Sequence, residues 1–79
     1  MNFFLHQIKR ATNGTIEKGI VVKGSLEAAK QGYHAYLGAY AYGQSAETDF
    51  VSVEITDMTG ARIMAETWAA AEPEPEPNE

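Results

Sequence analysis

Apolar and polar positions alternate with a period of two over most of this chain, and one central stretch breaks the rhythm. Asn2–Thr12 and Thr15–Lys23 are rich in Phe, Ile and Val and are separated by Asn13-Gly14. Asn-Gly tolerates the positive φ of a type I′ turn, so a first β-hairpin is expected. In its second strand Ile16, Ile20 and Val22 share one face, interrupted by Lys18, with Val21 on the other. The first strand is less clean. Phe3 and Leu5 alternate against Phe4 and Ile8, which suggests partial cover on both faces. Further on, DFVSVEITD sets Val51, Val53 and Ile55 against Phe50, Ser52, Glu54 and Thr56. Asp57-Met58-Thr59-Gly60 reads as a type I turn with a following left-handed glycine. Ala61–Trp68 returns as a fourth strand, Ile63, Ala65 and Thr67 alternating with Met64, Glu66 and Trp68.

Between the hairpins the period changes. Ser25 stands before an alanine-rich run as an N-cap, with Glu27 favourably placed at the positive end of the helix dipole. A helix is expected from about Leu26 to about Tyr42, with Gly43 as its stop. At about 100° per residue, Leu26, Ala29, Tyr33, Tyr36, Leu37 and Tyr40 form one stripe facing a core. Three of the four tyrosines therefore lie against a sheet with hydroxyls at its rim, not on a base-stacking platform. The predicted fold is α+β, a two-layer β-β-α-β-β arrangement. It has a four-stranded, mainly antiparallel sheet with one helix packed on a face. Strand order stays open.

The opposite helix face is unusual. Ala28, Gly32, Ala35 and Ala39 recur at a spacing that makes a strip of small side chains, and Gly32 and Gly38 each cost about 1 kcal/mol relative to alanine. A strip of this kind allows close approach of another backbone, so self-association through the helix, most simply as a homodimer, is expected. The far face of the sheet, where Phe50, Trp68, Met64 or Phe4 emerges, is a second candidate contact surface.

Length and charge refine this picture. Seventy-nine residues allow one small domain, residues 1–71, followed by an acidic Glu/Pro tail, residues 72–79. Alternating Glu and Pro favours an extended, disordered chain. Of the eleven acids the tail holds four, so the body, with six bases and seven acids, is near neutral. Its charges are segregated along the chain. Residues 1–31 carry Lys9, Arg10, Lys18, Lys23 and Lys30 against Glu17 and Glu27; residues 32–71 carry Arg62 against Glu47, Asp49, Glu54, Asp57 and Glu66. Lys9, Arg10, Lys18 and Lys23 thus form a candidate basic patch, suited to an acidic protein partner or, as the alternative, to nucleic acid.

No chemistry competes with a binding role. Cysteine is absent, which excludes disulfides and thiolate metal sites. His6 and His34 lack metal-ligand spacing. Ser25, Ser45 and Ser52 lack a nucleophile-elbow context, and neither Gly19–Gly24 nor Gly38–Gly43 makes a phosphate loop. No catalytic residue, cofactor or metal is expected. MNFFLHQIKR lacks the basic lead-in and apolar run of a secretory leader, and no stretch approaches a membrane span, so the expectation is a cytoplasmic protein without membrane contact.

KGIVVKGSLEAAKQGYHAYLGAYAYG, TDFVSVEITDMTG and the closing ETW resemble short uncharacterised proteins of gut-dwelling Firmicutes and their prophages, over about Phe3 to Trp68. The resemblance implies a bacterial or phage-derived accessory protein and carries no site residues with it. The expected function is that of a small non-enzymatic interaction protein.

Overall fold

The computed structural model describes residues 1–70; the expected acidic tail lies outside them. The elements are β1 (Phe3–Ala11), β2 (Ile16–Lys23), α1 (Leu26–Tyr40), β3 (Thr48–Asp57) and β4 (Arg62–Ala69). All four strands form one antiparallel sheet in the order β2-β1-β3-β4. The expected α+β, two-layer architecture is what forms. β2 and β3 run parallel with β1 between them, and α1 makes the crossover, lying mainly across β3 and β1.

Alternation places every strand residue on one of two faces. Under the helix lie Leu5, Val51, Val53 and Ile55, all fully buried, against Ala29, Tyr33 and Leu37 of α1 and Ala41 just beyond it. Phe3, Val21, Leu26, Tyr36, Tyr40, Met64 and Trp68 border this core. The helical stripe read from the sequence is therefore the buried stripe. Ser25 caps the helix as expected, its Oγ accepting from the Ala28 amide at 3.1 Å.

Two local expectations are corrected. The β1–β2 turn is not type I′, because Gly14 alone takes a positive φ there, +96°. The Gly14 amide bonds to the Ala11 carbonyl and the Ala11 amide to the Thr15 carbonyl, a three-residue loop closed by a glycine bulge. Asn13 serves with its side chain instead of its backbone, Oδ1 accepting from the Thr15 amide at 2.9 Å. The helix also stops two residues early. Ala41 is extended with its amide on the Leu37 carbonyl, and Tyr42 takes the left-handed φ of +57°, which turns its ring edge-on to Trp68. Left-handed backbone is unfavourable for a residue with a Cβ, and the aromatic contact offsets it.

The β3–β4 turn has the form expected of it. Gly60 has φ +91° and its amide meets the Asp57 carbonyl. The Asp57 carboxylate accepts from the Thr59 hydroxyl and amide at 2.6 and 2.8 Å and from the Ala61 amide at 3.1 Å. The Thr59 side chain first, and then these amides, hold the carboxyl below its ordinary value. A depressed folded-state pKa stabilises the fold above the unfolded value of about 4 and loses that contribution as pH falls through the folded value. Acid melting from pH 5 to 2 is therefore expected to be shallower in Asp57→Asn than in the parent; equal slopes would show that the turn carboxylate contributes nothing.

Candidate functional site

The helix covers one face of the sheet and leaves the other open. On the open face β1 presents Phe4, His6, Ile8 and Arg10, and register sets Val22, Ile20, Lys18 and Ile16 of β2 beside them. On the other side of β1 stand Thr56, Glu54, Ser52 and Phe50 of β3. The two halves of this face differ. Toward β4 it is polar and internally satisfied: His6 Nε2 and Thr56 Oγ1 are 3.0 Å apart, and Arg62 Nε donates to Glu54 at 2.6 Å. Toward β2 it is mainly apolar, interrupted by Lys18, and bare. Ile16, Ile20 and Val22 are 56–62% exposed, beside half-buried Phe4 and Ile8. His6, Ile8, Lys18 and Ile20 there surround a shallow depression of about 500 Å³ over the backbone of Gln7 and Gly19.

The row of β-branched residues at 16, 20 and 22 is legible in the sequence as one face of a strand. What sequence reasoning missed is that this face is the one left uncovered. Of the four residues expected there, Phe4 and Phe50 do lie on the open side. Met64 and Trp68 do not: they lie on the helix side of the sheet and pack against the core.

The candidate basic patch is not brought together. Lys9 and Arg10 are adjacent in a strand and so point to opposite faces. Lys9 lies on the helix side, 3.4 Å from Glu17 and 3.8 Å from the Tyr40 ring centre. Arg10 lies on the open side, its Nε 2.8 Å from Asp49. Lys18 is on the open face, while Lys23 stands under the helix with its Cε close to Gly32. Two of the four bases are ion-paired within the chain, and the four are divided between two surfaces.

The small-residue strip is divided as well. Ala35 and Ala39 are exposed and Ala28 is half-buried. Gly32 faces the sheet: a Cβ built there would come within 2.8 Å of Leu5 Cδ2. Its glycine is explained by the close approach of α1 to β1, not by an external partner. On a helical wheel Gly32 lies about 40° from Tyr36, at the border of the buried arc.

A smaller polar cleft of about 210 Å³ opens on the helix side, lined by Gln7, Lys9, Glu17, Lys18, Gly19, Tyr36 and Tyr40. The missing side chain of Gly19 leaves this gap between β2 and the helix. Burial pulls the Lys9 ammonium down, but Glu17 and Tyr40 outweigh it and the group ends above its ordinary value. Burial pushes the Tyr36 hydroxyl up, against the opposing effect of Lys9. A lysine held more firmly protonated is a poor base or nucleophile; this cluster positions the helix over β1. Tyr33 is likewise raised, by burial and then by the charge of Glu66 beneath it.

Ser25 is committed to its cap, and His34 is exposed with its ring edge-on to Tyr33. Among the described residues no three His, Asp or Glu side chains gather as a metal site, and no helix is long and apolar enough to cross a membrane. The chain matches no family model, no curated protein and no solved structure.

Proposed function

We propose that this protein is a small non-enzymatic interaction module whose contact surface is the open face of the β1–β2 hairpin. The observation that carries this reading is the row Ile16, Ile20 and Val22, more than half exposed beside Phe4 and Ile8. Folding of one chain leaves this row in water, and contiguous exposed apolar surface marks an interaction site. The polar half of the same face is already satisfied by Arg62–Glu54 and His6–Thr56, which confines the contact to the β1–β2 side.

Self-association through the helix is supported only by Ala35 and Ala39, since Gly32 is turned to the sheet. Nucleic acid binding, the alternative, has less support. Lys9 and Arg10 are engaged with Glu17 and Asp49, and a phosphate-binding surface needs its bases on one side. An accessory role in a bacterium or its phage is consistent with the sequence resemblance and rests on it alone.

Titration with the apolar dye ANS, followed by amide chemical shifts, tests the surface. Shifts are expected at Phe4, Ile8, Ile16, Ile20 and Val22, with Ala35 and Ala39 unmoved. Shifts centred on the outer helix face, or none on the hairpin, would overturn the assignment.

A further inference from the structure

We infer that the outer edge of β2 pairs with β2 of a second copy, in an antiparallel register with Ile20 on the two-fold axis. The pairing rests on the reading of the β1–β2 side as the contact side and deepens it: it uses the edge of that face and joins the apolar rows of two copies into one larger open surface. In the hairpin the Ala11 amide bonds to the Thr15 carbonyl. By antiparallel alternation Glu17, Gly19, Val21 and Lys23 then direct their main-chain groups to β1. The amides and carbonyls of Ile16, Lys18, Ile20 and Val22 point outward, with no strand beside them because β2 is the edge of the sheet. Natural edges of this kind are blunted by prolines, bulges or charged side chains, lysine above all. β2 carries Glu17, Lys18 and Lys23, and a partner strand is admitted only in a register that sets Glu17 and Lys23 against each other. β4 carries a register break against β3, whereas the β1–β2 pairing is regular from Phe3–Lys23 to Arg10–Ile16, and β2 has no proline.

Charge complementarity selects a second copy and its register. With Ile20 opposite its own mate, Glu17 of each chain faces Lys23 of the other, twice over, on the helix side of the sheet. Val21 of each chain faces Gly19 of the other, filling the space left by the missing side chain. On the open side, Ile20 meets Ile20 and Lys18 meets Val22, so the apolar rows of the two chains join. The outward-pointing groups are the ones this register pairs: the Ile20 pair and the two Lys18–Val22 pairs each exchange both hydrogen bonds. A shift of two residues either way keeps main-chain pairing possible but sets Glu17 against Val21 or Lys23 against Gly19, losing both ion pairs. α1 packs mainly on β3 and β1 and touches β2 less; β2 is exposed from Ile16 to Ile20, so its outer edge is accessible. The product is one continuous eight-stranded sheet with both helices on the same side.

The full chain is measured by light scattering over a concentration series. The wild type is expected at twice its 8.6 kDa chain mass. Glu17→Lys sets lysine against Lys23 but also removes the partner of Lys9, so its folding is checked by circular dichroism; Lys23→Glu sets glutamate against Glu17 and leaves Lys9–Glu17 in place. Each is expected to raise the dimer dissociation constant roughly tenfold, two like-charged cross-strand pairs being introduced at once. The double variant Glu17→Lys/Lys23→Glu restores opposite charges and is expected to recover the dimer. Ile20→Pro removes only an outward-pointing amide, which an edge strand tolerates, and is expected to give folded monomers by circular dichroism. A monomeric wild type overturns the pairing, as does a dimer indifferent to the charge reversals or not recovered by the double variant. None of these outcomes alters where ANS binds on the monomer, so failure of the pairing is separable from failure of the surface.

Discussion

Leu5→Ala is expected to remove about 3 kcal/mol of stability, in the lower half of the range for a fully buried leucine. Leu5 is 1% exposed and sits where the layers are closest, beside Ile55 on β3 and Val21 on β2 and beneath Gly32 of α1. Its neighbours in the core are β-branched strand residues with little rotamer freedom, so they do not collapse into the space. A domain of this size has only about 5 kcal/mol in total. The melting temperature is therefore expected to fall by roughly 15 °C. Thermal unfolding by circular dichroism measures it, and a fall of less than about 5 °C would show that the core has slack that this packing does not suggest.

Gly32→Ala is expected to destabilise by about 1 kcal/mol even though alanine is the better helix former. The added methyl would lie 2.8 Å from Leu5 Cδ2. Leu5 is enclosed and has nowhere to swing, so overpacking exceeds the gain in propensity. Gly38 is the internal control: nothing lies within 4 Å of its Cβ position, and Gly38→Ala should stabilise by up to about 1 kcal/mol. The pair Leu5→Ala/Gly32→Ala should be less destabilised than the two single effects together, because truncating Leu5 makes room for the methyl. Strict additivity in denaturant unfolding would mean that the two residues do not share this space.

The same contact shows why the helical strip was only half legible. Ala28, Gly32, Ala35 and Ala39 share a spacing, but spacing describes a helix in isolation. The orientation of α1 over β1 decides which border residue turns in, and Gly32 turned in while Ala35 and Ala39 stayed out. The basic residues carry a related lesson. Clustered along the chain, they read as one patch, yet the strict alternation of a strand already separates Lys9 from Arg10.

Local physics accounts for what the sequence by itself determined. Period-two alternation and a 100° stripe establish the order β-β-α-β-β and the residues on each face. A serine before an alanine-rich run places the helix start, and Asp57 with Gly60 places the second turn. Each of these depends on neighbours within a few positions. Strand order and the side taken by the helix depend on the whole chain and were decided only in the tertiary structure. β1 and β3 form the central pair, and they hold the strand side chains that are fully buried under the helix, Leu5 on β1 and Val51, Val53 and Ile55 on β3. Once Leu5, Val51, Val53 and Ile55 select the helix side, register carries Val21 inward with them and turns Ile16, Ile20 and Val22 outward. In a strand only one parity can face the helix, and the central pair determines it for β2. The most apolar face of β2 is left uncovered for that reason.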